Sequence, residues 1–347
     1  MAKAGPGRNG LAGRLSAVPG STTGVRMKEL LRAQKESWPR LREGYAGLQS
    51  VESRRMMFDG VTVRIEFNPA RIVSSSAPVD PHSVQKRPCF LCAANLPPEQ
   101  RGFLYGEDHI VLCNPYPIFR EHFTITHVEH TPQRIAGMFG TLLGLARDLH
   151  PQYSVMYNGP RSGASAPDHQ HFQAGERGFL EIEAEYAGLL GKGRLLAGGE
   201  GDGIIAVDDG LRRWFAIEGG EEARVTAAFE AVLASLAAVA PDSGEPMINI
   251  LTWYAPGGWS VLIFPRARHR PTVYFAEGDA KIMISPAGTD CGGVSVTPVE
   301  KDFRRLTPET VRTIFEEIMI PPDIFAAAGM HVARSIAAPV PPRGKAQ

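Results

Sequence analysis

The sequence has neither an excess of one charge nor a long apolar run, and each absence argues against a class of protein. Lysine plus arginine and aspartate plus glutamate number 37 each in 347 residues, whereas proteins that bind nucleic-acid backbones usually carry a basic excess. No apolar run approaches the roughly 18 residues of a membrane span, and residues 1–25 lack the apolar core of a signal peptide. We therefore expect a cytoplasmic protein without nucleic-acid or membrane partners, although a local basic patch is compatible with zero net charge.

Cysteine is scarce as well. The chain has four cysteines, Cys89, Cys92, Cys113 and Cys291, which are too few for a disulfide scaffold in a chain of this length. This count indicates a reducing compartment. Cys113 and Cys291 stand alone in the sequence, and we interpret them as ordinary buried thiols.

Both ends of the chain have compositions unlike that of a folded domain. Residues 1–26 are rich in Gly, Ala, Ser and Pro, and residues 337–347 are basic and rich in Ala and Pro. Such segments bury too little apolar surface to offset the entropy of ordering them. We therefore predict disordered tails at 1–26 and 337–347.

Hydrophobic periodicity and turn residues predict the elements between the tails. Helices are predicted at 27–49, 131–149, 221–240 and 307–318, and strands at 60–67, 109–113, 123–128, 153–157, 249–253, 259–264, 281–285 and 294–297. Residues 68–88 include four prolines and are predicted to be irregular. The second half of this order loosely echoes the first, which favours an α+β fold of two related, mostly antiparallel sheet-plus-helix units at 27–190 and 191–336.

The segment His169-Gln170-His171-Phe172-Gln173 carries the strongest chemical signal. Alternate residues of an extended segment point to one face, so His169, His171 and Gln173 are predicted to lie together. Two imidazoles and an amide are unfavourable in an apolar core and are well suited to a binding or catalytic site. The competing interpretation is a pair of surface histidines.

A loop rich in glycine and serine precedes this motif, Asn158-Gly159-Pro160-Arg161-Ser162-Gly163-Ala164-Ser165. Its main-chain N–H groups and hydroxyls can bind an anion. We take Asn158, Ser162, Gly163 and Ser165 as candidate phosphate or nucleotide contacts. A phosphate held there would lie next to His171, and attack by the imidazole on phosphorus would form a covalent histidine intermediate.

Cys89 and Cys92 have the spacing of half a zinc site, because zinc commonly takes four sulfur and nitrogen ligands in a tetrahedron. The sequence has no second cysteine pair of this spacing. The remaining ligands would have to be histidines, and the candidates are His122, His127, His130 and His169. A buried apolar cysteine pair is the alternative.

Two further sets of residues are open to two interpretations. Arg266, Arg268, His269 and Arg270 form a basic cluster that either captures a phosphate or sugar phosphate or is a solvated basic turn. Tyr116, Phe119 and Trp253 either stack on a base or pack in the core, and core packing is the commoner use of such residues.

These motifs together resemble the histidine-triad superfamily. Cys89-Phe90-Leu91-Cys92-Ala93-Ala94-Asn95, after Phe67-Asn68-Pro69, resembles the N-terminal half of galactose-1-phosphate uridylyltransferases. His-x-His-x-Gln at 169–173 is the signature of that group and is also similar to the GDP-hexose phosphorylases. Ser162-Gly163-Ala164-Ser165 looks more like the ATP adenylyltransferases, which are diadenosine tetraphosphate phosphorylases. The segment from Glu121 to His130 resembles the triad superfamily's Gly-His strand, with Glu121 where glycine is usual.

The resemblance covers about 67–185 well and 249–318 loosely, and it implies a histidine-triad-like fold. It also implies a role for each matching residue. His171 matches the histidine that becomes nucleotidylated, Gln173 matches the glutamine that contacts the phosphate, and Ser162 and Ser165 match the phosphate-binding loop. Cys89, Cys92, His130 and His169 match the ligands of a structural zinc ion. The uridylyltransferases' second, histidine-rich metal site has no counterpart in the sequence.

We therefore expect a nucleotidyltransferase or phosphorylase. It would transfer a nucleoside monophosphate from a nucleoside diphosphate sugar or dinucleoside polyphosphate to a sugar 1-phosphate or to phosphate. A nucleotide hydrolase of the same superfamily is the first alternative, and Gln173 argues against it because the hydrolases usually have a third histidine there. A nucleotide-binding regulator without turnover is the second. Relatives are often homodimers, and the sequence itself leaves the oligomeric state and the substrate open.

Overall fold

The computed structural model describes residues 13–337, apart from 17, 21, 77–78, 200 and 241–243. Most of both predicted tails, 1–12 and 338–347, lies outside the described residues. Within the predicted N-terminal tail, the first helix begins at Thr23, four residues before the predicted start. Among the described residues, no helix is long and apolar enough to cross a membrane.

Helices and strands are interspersed along the chain. The helices are α1 Thr23–Ser37, α2 Pro39–Gly47, α3 Ile72–Ser75, α4 Pro81–Lys86, α5 Phe139–Asp148, α6 Glu181–Leu190, α7 Glu222–Val239, α8 Thr272–Phe275, α9 Gly288–Cys291, α10 Glu300–Arg305, α11 Pro308–Ile318 and α12 Pro322–Ala337. The strands are β1 Glu52–Phe58, β2 Val61–Phe67, β3 Gly102–Tyr105, β4 His109–Cys113, β5 His122–His127, β6 Tyr153–Asn158, β7 His171–Glu176, β8 Arg194–Gly199, β9 Asp202–Asp208, β10 Arg213–Gly219, β11 Ile248–Ala255, β12 Gly258–Pro265 and β13 Val294–Thr297.

Ten of these strands form one sheet in the order β3-β4-β5-β7-β6-β11-β12-β10-β9-β8. The order of elements repeats, since three strands, a helix and two strands (β3–β5, α5, β6–β7) are followed by the same series (β8–β10, α7, β11–β12). The two series meet where β6 pairs antiparallel with β11. The predicted α+β fold of two related, mostly antiparallel units is confirmed, while the division at residue 190 stays a prediction.

The sheet is covered on both faces. Alternate side chains of its strands, such as Ile125, Phe172 and Val155, are buried against the apolar faces of α1, α5 and α7. The opposite face packs partly under a second sheet of order β1-β2-β13. In that small sheet β13 lies parallel to β2. A strand from the second half of the chain therefore completes a sheet that two strands of the first half begin.

The predicted helix at 131–149 is wrong in its first half, because α5 begins at Phe139. Polar groups of the preceding segment bond elsewhere instead. The side chain of Gln133 donates to the main chains of β6 and β7, and the N–H of Ile135 donates to the Glu245 carboxylate over 2.7 Å. Gly137 has a positive φ of 77°, which a helix cannot continue through.

Three other predictions also differ from the structure. The predicted helix at 27–49 is two helices, since Pro39, which lacks an N–H, begins α2 and ends the hydrogen-bonding of α1. Residues 281–285 form no strand; Ile282 and Ile284 are buried in the core, and this burial produced the alternating pattern. Residues 68–88 are not wholly irregular, because α3 and α4 lie there. The predicted helix at 307–318 is followed by α12, which the sequence reasoning missed.

Candidate functional site

The histidine motif lies at the centre of the ten-stranded sheet. β7 begins at His171 and runs between β5 and β6. Phe172 points into the core under the helices, so His171 and Gln173 lie on the opposite face. His169 precedes the strand and directs its ring toward the cysteines. The structure thus separates His169 from the pair that it was predicted to accompany.

The ring of His171 has a defined proton position. Its Nδ1 lies 2.8 Å from the main-chain oxygen of His169. A carbonyl oxygen only accepts, so Nδ1 carries the proton and Nε2 keeps its lone pair in the neutral ring. Burial lowers the pKa of His171, against the opposing effect of this hydrogen bond. Only 3% of the residue is exposed, so Nε2 lies in a largely enclosed position.

One side chain fixes the main chain around this histidine. The Oε1 of Gln133 accepts from the N–H of His171 over 2.8 Å. Its Nε2 donates to the carbonyl oxygens of His171 and Asn158, over 3.0 and 2.9 Å. The amide of Gln133 therefore holds the end of β6 and the start of β7 at one spacing.

Gln173 is paired with a histidine of the neighbouring strand. The Nε2 of His122 lies 3.1 Å from the Oε1 of Gln173, and the N–H of Ile118 donates to the Nδ1 of His122 over 3.2 Å. Burial, and secondarily the charge of Arg71, lower the pKa of His122 to about 3. The ring is therefore neutral at physiological pH.

The predicted phosphate loop packs against the second half of the chain. Gly163 has a positive φ of 96°, and a Cβ there would meet the Cβ of Ala287 at 2.6 Å, so only glycine fits. The Oδ1 of Asn158 accepts from Asn249 and from the N–H of Gly288. These contacts pack the loop against residues 287–288, in the second half of the chain.

The two loop serines differ in accessibility. Ser162 is fully buried, and its Oγ has no hydrogen-bond partner among the described residues. Ser165 and Gly163 are half-buried. A ligand can therefore approach Ser165 and Gly163 more readily than Ser162.

Cys89, Cys92, His130 and His169 come together, with all four ligand atoms within 4.8 Å of one another. The Nδ1 atom of His169 lies 3.3 Å from the Sγ of Cys89, and that of His130 lies 3.2 Å from the Sγ of Cys92. Two sulfurs and two imidazole nitrogens around one point form a donor set typical of tetrahedral zinc sites. The cluster can bind a metal ion.

The surroundings of this cluster orient its donors. The carbonyl of Cys89 accepts from Nδ2 of Asn95 over 2.8 Å and from the N–H of Cys92 over 3.3 Å. The Nε2 of His169 lies 2.8 Å from the carbonyl oxygen of His127, so Nε2 carries the proton and Nδ1 is free to bind a metal. The structure therefore selects His130 and His169 among the four candidate histidines.

The members of the basic cluster after β12 differ in burial. Arg266 is 5% exposed and donates to Asn249 and to the main-chain oxygens of Arg268, His269, Pro286 and Ile318. Arg268 is exposed and faces Glu317. Arg266 therefore ties loops together, which neither sequence interpretation anticipated.

The three aromatic candidates also separate by burial. Phe119 and Trp253 are 1% and 3% exposed and belong to the core, whereas Tyr116 is half-buried. The ring of Phe119 fills the space beside Gly175, where a Cβ would lie 2.3 Å from it. Core packing accounts for Phe119 and Trp253.

A cavity of about 920 Å³ opens at the far end of β7, beside Glu176. Four arginines from two strands and two loops line it: Arg55, Arg64, Arg120 and Arg177. His171 is five residues away along the strand, which corresponds to about 16 Å. Neither His171 nor Gln173 lines this cavity.

Sequence reasoning missed three residues of this region. Gln133 was assigned to a helix, and His122 was considered as a metal ligand and as part of the histidine-triad-like segment, without a partner at Gln173. Arg71 was not considered; burial lowers its pKa to about 10, and it donates to the carbonyl of Tyr116 over 2.5 Å. The only available signal for Arg71 was its position three residues after Asn68 in the recognised Phe-Asn-Pro motif.

Comparisons with known proteins agree with this architecture. Residues 30–176 match a family described as a domain of unknown function, DUF4922, and no curated protein matches the chain. The crystal structure of yeast Ap4A phosphorylase Apa2 in complex with AMP is similar with a TM-score of 0.58 and 17% identity, over 85% of this chain and 96% of that chain. The crystal structure of the same yeast protein in complex with Ap4A is similar with a TM-score of 0.52 and 15% identity, over 83% of this chain and 98% of that chain. The chain therefore has the histidine-triad-like fold that its motifs predicted.

Proposed function

We propose that this chain is a nucleotidyltransferase or phosphorylase that works through a covalent nucleoside monophosphate on His171. The observation that carries the proposal is the hydrogen bond from Nδ1 of His171 to the carbonyl of His169. It leaves the other ring nitrogen as a neutral nucleophile on the sheet face that also bears Gln173. A neutral, oriented imidazole is the requirement for attack on phosphorus.

The first step is a substitution at the donor's α-phosphorus. The Nε2 lone pair of His171 forms the N–P bond, while the bond from phosphorus to the leaving phosphate oxygen breaks and that oxygen takes the electron pair. The ring retains its Nδ1 proton and gains positive charge, which the carbonyl of His169 stabilises. In the second step an oxygen of the acceptor attacks phosphorus, the N–P bond breaks and neutral His171 returns.

Nearby donors would stabilise the charge on the phosphoryl oxygens. We assign this role to the amide of Gln173 and to the loop residues Asn158, Ser162, Gly163 and Ser165. The half-buried Gly163 and Ser165 are accessible. The partnerless hydroxyl of Ser162 would gain a partner if the loop adjusts on binding.

We further propose that the ion at Cys89, Cys92, His130 and His169 is zinc with a structural role. Zinc would supply folding energy by crosslinking the loop of the two cysteines to the segments before β7. It takes no part in the bond-making steps. Its value to the chemistry is indirect, because His169 is also the residue whose carbonyl orients His171.

The preferred donor is a dinucleoside polyphosphate, with a nucleoside diphosphate sugar as the second class. The likeness to an Ap4A phosphorylase over most of both chains supports the first class. The acceptor would then be phosphate, and for a nucleotide sugar a sugar 1-phosphate. Gln173 at the third position of the motif favours transfer over hydrolysis.

The test is the intact mass of the protein after separate mixing with diadenosine tetraphosphate, UDP-glucose, GDP-glucose and ADP-glucose. We expect a gain of one nucleoside monophosphate with one donor, and no gain in His171→Ala of unchanged melting temperature. The absence of any gain across a wide donor panel would reject the covalent mechanism. Products formed with and without phosphate then distinguish transfer from hydrolysis.

A further inference from the structure

We propose that His122 is a positioning residue that sets which end of the Gln173 amide faces the substrate phosphate. The inference rests on the proposed function for its catalytic consequence. The orientation itself follows from the structure alone. Two contacts of the His122 ring carry it, the one from Ile118 and the one to Gln173.

The first contact fixes the proton of His122. A main-chain N–H can only donate, so the N–H of Ile118, 3.2 Å from Nδ1 of His122, requires that Nδ1 be unprotonated. A neutral imidazole then carries its proton on Nε2. The lowered pKa of His122 is consistent with a neutral ring.

The second contact transmits this proton position to Gln173. The Nε2–H of His122 needs an acceptor at 3.1 Å, and only the oxygen of the Gln173 amide can accept. The amide nitrogen must therefore point away from His122. With the ring turned over, the amide would lose this preference; with the proton on Nδ1, it would turn its NH2 group toward the ring instead.

The orientation of the Gln173 amide matters because the oxygens of a substrate α-phosphate only accept hydrogen bonds at neutral pH. An amide that presents its NH2 group donates to them, whereas one that presents its oxygen repels them. Gln173 and His171 lie two residues apart on one face of β7, which suits contact with the same phosphoryl group. His122 thus selects the productive amide orientation before the substrate arrives.

The surroundings of His122 hold its ring still. The hydroxyl of Tyr45 donates to its carbonyl over 3.0 Å and accepts from its N–H over 3.1 Å. The ring of Phe119 packs edge-on against it with centroids 5.0 Å apart, in the space that Gly175 leaves free. His122 is 1% exposed, so solvent does not compete for either ring nitrogen.

Two substitutions separate the two contacts, because asparagine imitates Nδ1 of histidine and glutamine imitates Nε2. His122→Asn keeps an acceptor for Ile118 and loses the donor to Gln173. His122→Gln keeps the donor and loses the acceptor. We expect His122→Asn to slow nucleotidylation of His171 by about 100-fold, the usual effect of losing one transition-state donor, and His122→Gln to stay within about fivefold of wild type.

A purely structural role would give another result, in which both variants lose activity in step with their melting temperatures. A double-mutant cycle adds a second criterion. In a Gln173→Ala background, His122→Asn should cause no further loss of rate. A full further loss in that background would overturn the proposal.

A measurement that needs no enzymatic turnover tests the inference even if the proposed function is wrong. The ¹⁵N spectrum of this chain at pH 7 should give His122 a protonated Nε2 and an unprotonated Nδ1. It should also give a Gln173 side-chain amide whose shifts change more in His122→Asn than in His122→Gln, because both variants lose the imidazole ring and only His122→Asn loses the donor. A proton on Nδ1 of His122 would reject the proposal, whether or not the wild-type protein is nucleotidylated.

Discussion

The main-chain oxygen of His169 lies 2.8 Å from Nδ1 of His171, while the ring of His169 faces the cysteines. One residue therefore joins the candidate metal-binding cluster to the proposed nucleophile. The ring of His169 lies in the cluster, and its main-chain oxygen contacts His171. Any disturbance of the cluster should reach His171 through this residue.

Removal of the metal tests this connection. Cys89→Ser should lower the bound metal, measured by plasma mass spectrometry, and lower the melting temperature, because the crosslink contributes to folding. Cys113→Ala is the control, since Cys113 is also buried but is not one of the four clustered residues; this variant should keep its metal while losing some stability. A Cys89→Ser protein with unchanged metal content and melting temperature would reject the zinc site.

The Gln133 amide provides a second prediction. Gln133→Leu removes three hydrogen bonds from the ends of β6 and β7 and leaves buried main-chain groups unpaired, at a cost of about 3 kcal/mol in the free energy of unfolding. Nucleotidylation should slow more than 100-fold, because a displaced nucleophile loses its alignment. Urea denaturation and intact mass against time measure the two effects.

The matched control for this variant is Gln34→Leu. Gln34 is 2% exposed and also bonds main-chain atoms, those of Glu99 and Arg101. These two residues precede β3, which lies three strands from β7 in the sheet. We expect a similar loss of stability with an unchanged nucleotidylation rate. Equal slowing in both variants would mean that Gln133 acts only through global stability.

Arg266 should behave as a structural residue. Arg266→Lys loses most of the donors that reach four main-chain carbonyls and Asn249, because an ammonium group cannot match the planar guanidinium. We expect a loss of roughly 3 kcal/mol in the free energy of unfolding. Arg268→Ala, at an exposed position, should change stability by less than about 0.5 kcal/mol. A normal melting temperature for Arg266→Lys with a raised KM for phosphate would instead support the phosphate-capture interpretation.

Acid should destabilise the protein through His122. Its pKa is about 3 in the folded state and about 6.5 when unfolded, so between these values the unfolded chain binds the extra proton. Stability is full above pH 6.5 and falls as the pH drops; at pH 5 the loss from this group is about 2 kcal/mol. Urea denaturation at pH 7 and pH 5 measures the loss of unfolding free energy between the two pH values. This loss should be smaller by about 2 kcal/mol in His122→Gln than in the wild-type protein. An identical loss in both proteins would contradict a neutral, buried His122.

Local patterns predicted well wherever neighbouring residues determine the structure. The helix at 307–318 was predicted from Thr307-Pro308, and the structure has Thr307 as the N-cap that accepts from Thr310. The strands β4 and β13 were predicted with their observed ends. The helix at 131–149 failed because Gln133 and Ile135 bond to groups that are distant in sequence.

The sequence by itself determined the kinds of chemistry available: a Cys-x-x-Cys pair, a His-x-His-x-Gln strand and a glycine-serine loop, each defined by residues within a few positions of one another. Only the tertiary structure decided which histidines meet the cysteines, that His122 pairs with Gln173, and that Arg266 holds loops rather than facing solvent. The physical reason is range. Spacing along a strand or turn follows from backbone geometry, whereas the pairing of His122 with Gln173 depends on the register of β5 against β7, which the packing of the whole sheet sets.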